Sequence, residues 1–453
     1  MKKDQKNSST PKVKKKTFSH GLPVYNPHAA GIDLGDTKHD AAISDGAGGY
    51  EVREYRSFTE DLTLLVAWLV SEGITTVAME STGVYWLNLY LMLEEAGIEP
   101  YLVNAKHVKN VTGRKKDDTD AIWLQKLHSC GLLQKSFQPE SEIRVLRTYV
   151  RQRKNLIIIG SDSVRRMQKA LELMNIKLHT VISDILGKTG LEMIVAILQG
   201  ERNPDKLAML KDPRIKASDE EIRKSLEGIW KEEYLFMLQQ AYEGYMFYQS
   251  QIKSCEDKIK EQLIKHAANV LDGDITDIKD IKKKPKKNQL SFNAQDLLKI
   301  IVGVDLCEVE GISEISCLEL ISEIGTDMSK WKNSKHIAAW LNLAPNTKIT
   351  GGKIISSKMQ KKKNHAGQTL RMAASTLSRS KSPMGDYSRK MKARLGKKGG
   401  VVATAHKLAR IVYTMISEQR PYNKDVIAND HEKWKAKKIK YLEKQLDQLK
   451  KVA

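Results

Sequence analysis

A formal net charge of +21 over 453 residues makes this chain too long for one ordinary core and strongly drawn to polyanions. Two or three domains are therefore expected, with nucleic acid the first class of partner and an anionic membrane surface the second. No apolar run reaches the roughly 18 residues of a membrane span, the lysine-rich start has no signal-peptide core, and four scattered cysteines (Cys130, Cys255, Cys307, Cys317) show no CxxC spacing, which speaks against secretion, a disulfide framework or a structural zinc site.

Residues 1–20 carry seven lysines and almost no apolar side chains. Residues 1–27 are expected to form a disordered basic arm, which either touches phosphates or only keeps the chain soluble. From 28 to 136 the pattern is α/β. Ala29 to Gly35 and His39 to Ser44 read as short strands around a tight turn, and Tyr50 to Tyr55 as a third. A helix with Leu62, Leu65, Trp68 and Leu69 on its apolar side follows, then a strand from Ile74 to Met79 that ends on Glu80. A helix from Trp86 to Ala96, a strand from Ile98 to Val103 and a helix from Asp117 to Cys130 complete the segment. Three strands in hairpin order, then helix, strand, helix, strand and helix, is the order of an RNase H-like fold.

That order places the acids. In such a sheet the first strand lies beside the fourth, which makes Asp33 and Glu80 neighbours. The last helix crosses the same edge with Asp117 and Asp120, whose spacing of three puts both on one helix face. The basic run Arg114-Lys115-Lys116 stands one step outside. Taken singly, each acid is equally well an N-cap or a surface charge. Four converging carboxylates raise one another's pKa unless cations neutralise them. Two magnesium (or manganese) ions about 4 Å apart would do so and would align the attacking and leaving oxygens of a phosphodiester.

Residues 137–270 recur at helical spacing, through Ile143, Leu146, Val150 and Leu156 and again from Ile222 to Ile264, with an irregular stretch around Asn203-Pro204 and Asp212-Pro213. They are expected to form a long helical, coiled-coil arm, with Phe236, Tyr242, Tyr245, Tyr248, Ile252 and Ile259 as its packing seam, the tyrosines being alternatively suited to stack on bases. Residues 271–292 read as a basic linker centred on Lys282 to Lys287, residues 293–420 as a mostly helical C-terminal domain, and 421–453 as a helical tail with Leu442, Leu446 and Leu449 on one face. Within that domain, Val309 to Gly325 is either a helix-hairpin-helix-like element, with Ser313 in place of the usual second glycine, or a plain helix pair. Thr350-Gly351-Gly352 lies among Lys348, Lys353 and Lys358. A hydroxyl before two glycines can offer an oxygen nucleophile to a phosphodiester with little hindrance; the same residues also suit a solvated turn. Beyond it, Arg371, Arg379, Arg389, Lys390, Lys392, Arg394, Lys397 and Lys398 supply charge for nucleic acid.

In chain order, Gly31-Ile32-Asp33 with His39 downstream, Glu80-Ser81-Thr82-Gly83, Gly113 to Asp117 with Asp120-Ala121, and Leu343-Ala344-Pro345 followed by Thr350 to Lys353 resemble the motifs of one family. They look like those of the DEDD transposases of bridge-RNA-guided insertion sequences (the IS-one-ten group), over roughly 28–136 and 300–415. The resemblance implies a RuvC-like N-terminal domain, a C-terminal transposase domain, and a magnesium-binding tetrad of Asp33, Glu80, Asp117 and Asp120. It also implies a hydroxyl nucleophile where this chain has Thr350 and the family has serine, with Ser356 and Ser357 as the alternatives nearby. Arg114, Lys115, Lys116, Lys348, Gly351, Gly352, Lys353, Lys358 and Arg371 are expected against nucleic acid. The implied partners are DNA (element ends and target), a structured guide RNA and further copies of the chain, as a dimer or tetramer with a composite site. The implied setting is the prokaryotic cytoplasm, at the nucleoid and away from membrane. Two other readings stay open on the residues themselves: a metal-dependent nuclease or junction resolvase that uses water, and a structural nucleic-acid-binding protein.

Overall fold

The computed structural model describes residues 16–17, 23–104, 108, 119–273, 288–360, 362–425, 436, 439–443 and 445. The chain divides into two compact units, residues 1–138 and 139–453.

The first unit is built on a six-stranded sheet in the order β1-β4-β3-β2-β5-β6, comprising β1 (Lys16–Thr17), β2 (Ala29–Leu34), β3 (Lys38–Ser44), β4 (Gly49–Arg56), β5 (Thr76–Glu80) and β6 (Glu99–Val103). Two tight turns set the antiparallel half. The Gly35 N–H donates to the Lys38 carbonyl at 2.9 Å, and Asp45 Oδ1 accepts from the N–H groups of Ala47 and Gly49 at 2.9 and 2.7 Å. β2, β5 and β6 pair in parallel. β2 and β5 read as continuous apolar runs because both faces of the sheet are covered there. On one face, α1 (Thr59–Ser71) and α2 (Trp86–Glu95) pack Leu65, Leu69, Leu89 and Leu93 against Ile32, Val77 and Met79. On the other, α3 (Asp120–Ser129) packs Trp123, Leu124 and Leu127 against Ala78 and Val103, and Ala121 and Ile122 against Ala42. This is a mixed α/β sheet compatible with the RNase H-like order.

Two expectations change here. Lys16 and Thr17, assigned to a disordered arm, pair antiparallel with Tyr50 and Gly49, because the edge of β4 offers unpaired backbone groups to any nearby extended segment. The helix carrying Asp120 does not extend back through Asp117. It starts at Asp120, and Thr119 before it has the extended φ/ψ of an N-cap (−67°, 161°), with its side chain accepting from the Ile122 N–H. Asp117, expected on the same helix face, lies outside the described residues.

Gly31 lets α3 lie directly on β2. A Cβ at this position would sit 2.2 Å from the Gln125 nitrogen and 2.4 Å from the Ala121 carbonyl oxygen, both backbone atoms that no rotamer change can move away. Gly31→Ala is expected to cost about 3 kcal/mol in the first unit, read from the denaturant midpoint; a loss below about 1 kcal/mol would mean that the helix does not dock as described.

His128, at the far end of α3, is buried with Nε2 2.9 Å from Thr76 Oγ1, and burial lowers its pKa from 6.5 to about 4. A histidine whose native pKa lies below its unfolded value adds stability that is complete above the unfolded value and is lost as pH falls toward the native one. Lowering pH from 7 to 4 should therefore remove about 3 kcal/mol through this residue, and His128→Gln should flatten that acid limb. An unchanged limb in the variant would assign the slope elsewhere.

The second unit begins with α4 (Ser141–Leu173) and α5 (Glu232–Leu271). They run antiparallel: Asn269 Nδ2 donates to Glu142 at 3.0 Å, a Cβ on Gly160 would meet Tyr248, and one on Gly244 would meet Ser163. Four short helices between them close a cluster around Met167, Leu171, Met193, Ile194 and Ile222. Ile252 and Ile259 are buried and Tyr242 and Tyr245 pack on that cluster, whereas Phe236 is 58% exposed, because nine residues at about 100° each set it on the side of the helix opposite Tyr245. A buried ion pair, Arg153 to Glu256 at 2.7 Å, also holds the carbonyls of Asn288 and Gln289 and the Ser291 N–H. Such pairs are costly to break singly, since one partner would remain charged and dry.

The chain then adds α6 (Gln295–Val302), α7 (Glu314–Ile324), α8 (Ser334–Trp340), the hairpin β7–β8 (Lys348–Thr350 and Lys353–Ser356), α9 (His365–Thr376) and α10 (Pro383–Glu418), which is broken at Gly396 (φ 74°, ψ 167°). Arg151 forms a bidentate pair with Glu323, and Lys154 reaches Glu319, fixing α7 against α4. Ser313 is the N-cap of α7, its Oγ accepting from the Ser316 N–H at 3.3 Å. Lys282 to Lys287, Leu446 and Leu449 lie outside the described residues. Among the described residues, no helix is long and apolar enough to cross a membrane.

Candidate active site

The acids of the first unit follow from its register. β2 and β5 pair Gly31 with Ala78 and Ile32 with Met79, so Asp33 and Glu80 occupy the next level. Gly31 and Ala78 face α3, and strand alternation brings Asp33 and Glu80, two residues on, to that same face. Asp120 opens α3, exposed at its first turn, where the partial positive end of the helix favours a carboxylate or a phosphate. Asp33 and Glu80 thus share one face of the sheet, and Asp120 opens the helix that packs on that face. Asp117, with Arg114, Lys115 and Lys116, lies outside the described residues.

The spacing of acids in the sequence did not single out Asp40, which pairs directly with Asp33 across β2 and β3 and with Glu54 across β3 and β4. Glu80, Asp33, Asp40 and Glu54 form a transverse row of acids on four adjacent strands. Glu54 is neutralised by Lys38 at 2.6 Å. The signal was available: the short turn joining Gly35 to Lys38 fixes the hairpin register, and the register pairs 33 with 40.

The donors are all carboxylate oxygens, which suit hard cations such as Mg2+ or Mn2+ and not zinc or copper. Among the described residues, however, no group of three or more His, Cys, Asp or Glu side chains is close enough to hold a metal ion. Asp33, Glu80 and Asp120 alone do not complete such a set.

The second candidate lies on the β7–β8 hairpin. Its turn, Gly351-Gly352, has φ of 54° and 75°, the doubly left-handed geometry of a two-residue hairpin, which only glycine adopts freely. Pairing sets Thr350 opposite Lys353, Ile349 opposite Ile354, and Lys348 opposite Ser356 after an irregularity. Alternation therefore gives the hairpin two unlike faces. One presents Thr350 with Lys348 and Lys353; the other presents Ile349 and Ile354. Thr350, Lys348 and Lys353 are all exposed, and Ile349, Ile354 and Ile355 are 62–66% exposed. Lys358 is exposed just past the hairpin. Ser356, half-buried at the end of β8, has its Oγ engaged by the Lys358 N–H at 3.3 Å, and Ser357 follows it outside the strand. Arg371 is half-buried on α9 and donates to the Asn342 carbonyl, and burial lowers its pKa.

Two family profiles match the chain. Residues 30–176 match one described as transposase, the DEDD class of IS110, and residues 305–389 match one described as transposase IS116/IS110/IS902 family. The first segment contains Asp33, Glu80, Asp117 and Asp120, and the second contains the whole β7–β8 hairpin. No curated protein shows a significant match to the chain.

Proposed function

From the premise that this chain is an insertion-sequence transposase of the IS110 family, an enzyme that breaks and rejoins DNA, we propose that it cuts DNA by covalent catalysis from Thr350. The observation that carries this is the hairpin face on which the Thr350 hydroxyl stands at the rim of a Gly-Gly turn between two lysines. The Thr350 oxygen attacks the scissile phosphorus and gives up its proton, the P–O3′ bond breaks, and the departing DNA 3′-oxygen takes up a proton to leave as a hydroxyl. The 5′-phosphate stays on threonine. Attack by a different 3′-hydroxyl reverses the step, releases Thr350 and joins the new partner. Lys348 and Lys353 hold the non-bridging phosphate oxygens, whose charge grows in the transition state. The glycines admit a phosphodiester that bulkier residues would keep away.

Asp33, Glu80, Asp117 and Asp120 would hold a divalent cation, Mg2+ or Mn2+, which when bound neutralises the acid row and draws in the phosphate. The acids and the hydroxyl belong to separate compact units, which suits a site completed between copies of the chain in a homo-oligomer. The basic composition suits an element-encoded guide RNA alongside the DNA. Hydrolysis by water, as in a nuclease or junction resolvase, is the second reading, since carboxylates on such a sheet serve it equally.

One experiment separates them. The protein, co-expressed with its element, is incubated with labelled DNA spanning an element end, then denatured in detergent. A labelled band at the size of protein plus DNA, dependent on Mg2+ and abolished by EDTA, is expected. Cleaved DNA with no such band would establish hydrolysis. One discrete co-purifying RNA is expected on sequencing; a smear of unrelated RNA would remove the guide from the proposal.

A further inference from the structure

The β7–β8 hairpin has little to hold it in place by itself. Its strands are three and four residues long, and its isoleucines face solvent. Two-stranded hairpins of this size are marginal in water. What orients Thr350 must therefore lie at the hairpin's base, where the chain leaves α8 and returns to α9.

One residue joins the two sides of that base. Asn342 follows α8 with φ of 56°, a left-handed conformation that asparagine tolerates better than most residues, and it is only 6% exposed. Its side-chain amide donates to the carbonyl of Gln360 at 3.0 Å and to that of Lys362 at 3.0 Å, on the returning segment. An amide nitrogen has two hydrogens to give, and both have acceptors. The Asn342 carbonyl in turn accepts from the guanidinium of Arg371 on α9. Between this clamp and the hairpin, the Asn346 N–H donates to the Lys358 carbonyl at 3.2 Å. Asn364 secures the start of α9, its Oδ1 accepting from the Gly367 N–H at 2.8 Å and its Nδ2 donating to the Trp340 carbonyl at 3.2 Å.

Resting on the reading of Thr350 as the nucleophile, we infer that Asn342 and Arg371 are positioning residues. They clamp the base of the hairpin to α8 and α9 and so fix where the hydroxyl meets the phosphorus. Neither touches the DNA in this role. Arg371, expected from the sequence to meet nucleic acid, acts through the Asn342 backbone instead. The coupling has a plain physical basis: in-line attack tolerates little misplacement, and an error of about 1 Å costs on the order of 10²-fold in rate.

The test uses the full-length protein with two variants. Asn342→Gly keeps the left-handed backbone and removes the clamp. Asn342→Asp keeps the shape of the side chain and replaces both donors with acceptors. The probe is a double-stranded DNA fragment spanning an element end. In both variants the single-turnover rate of adduct formation should fall about 10- to 100-fold, while the DNA concentration giving half the maximal rate stays within about 3-fold. A second readout is independent of chemistry. Trypsin cleavage after Lys348, Lys353 and Lys358 should accelerate about 5-fold or more as the base opens. Unchanged adduct rates, or unchanged trypsin cleavage, would overturn the inference. Thr350→Ala, run alongside, separates the two ideas. An adduct that survives Thr350→Ala moves the nucleophile off Thr350 and removes the premise of the inference with it. An adduct lost in Thr350→Ala but formed at the normal rate in Asn342→Gly overturns the clamp alone.

Discussion

Replacing Asp33 with asparagine is expected to lower DNA strand cleavage by about three orders of magnitude, on the order of 4 kcal/mol of transition-state stabilisation. Binding of the same DNA should change by no more than about 3-fold, because affinity rests chiefly on lysines and arginines meeting phosphates. The substitution keeps the size of the side chain and removes its charge. Asp33 occupies the central strand of its unit, level with Glu80 and beside Asp40, so its loss alters the field at the middle of the acid row. Two measurements check this: a time course on labelled DNA, and a titration of Mn2+ by electron paramagnetic resonance, which counts bound ions without requiring turnover. Full cleavage by Asp33→Asn would remove the acid row from the chemistry. Normal Mn2+ binding with no cleavage would leave Asp33 a role other than holding a cation.

Thr350→Ala should abolish the detergent-stable protein–DNA adduct altogether, because no oxygen remains to form the phosphodiester. Thr350→Ser should retain it and, by removing the methyl branch at Cβ, should form it at least as fast. The hydroxyl stands on an exposed face with Lys353 opposite and Lys348 two residues before it, so neither substitution disturbs a core contact. Mapping the adduct by mass spectrometry after protease and nuclease digestion gives a direct reading. A DNA-linked peptide carrying modified Ser356 or Ser357 would move the nucleophile along the strand. Mixing Asp33→Asn with Thr350→Ala protein adds a further reading. If each copy supplies one half of a composite site, the mixture should recover activity that neither variant has alone. If both halves come from one copy, it should recover none.

The sheet was legible because its strands are short, apolar and punctuated by Gly35, Gly46 and Gly48, and because the helix between β2's antiparallel partners and β5 leaves few ways to order them. The pairing of Asp33 with the Glu80 level followed from that order. The start of α3 was not legible in the same way. Helical spacing does not show where a helix begins, and Thr119 sets the start of α3 at Asp120 by capping there. Asp40 stands at no telling spacing along the chain, because its neighbours are set by hairpin register. Phe236 matches the seam in residue type but not in phase, since it stands about half a turn from Tyr245. Ser313 caps α7, which either a hairpin element or a plain helix pair allows. Asn342 offered no signal at all. Its importance lies in two carbonyls eighteen and twenty residues downstream, and nothing in the local sequence points to them.

The parallel pairing of β2 with β5 also bears on when the enzyme becomes able to act. Asp33 and Glu80 are level only after β5 has crossed over α1 and docked against β2, a non-local step delayed by the entropy of closing so long a loop. Before that event the emerging chain has already exposed its lysine-rich start, yet it has no acid pair. On the proposed role of the acids, a copy whose β5 has not yet docked lacks them as a level pair.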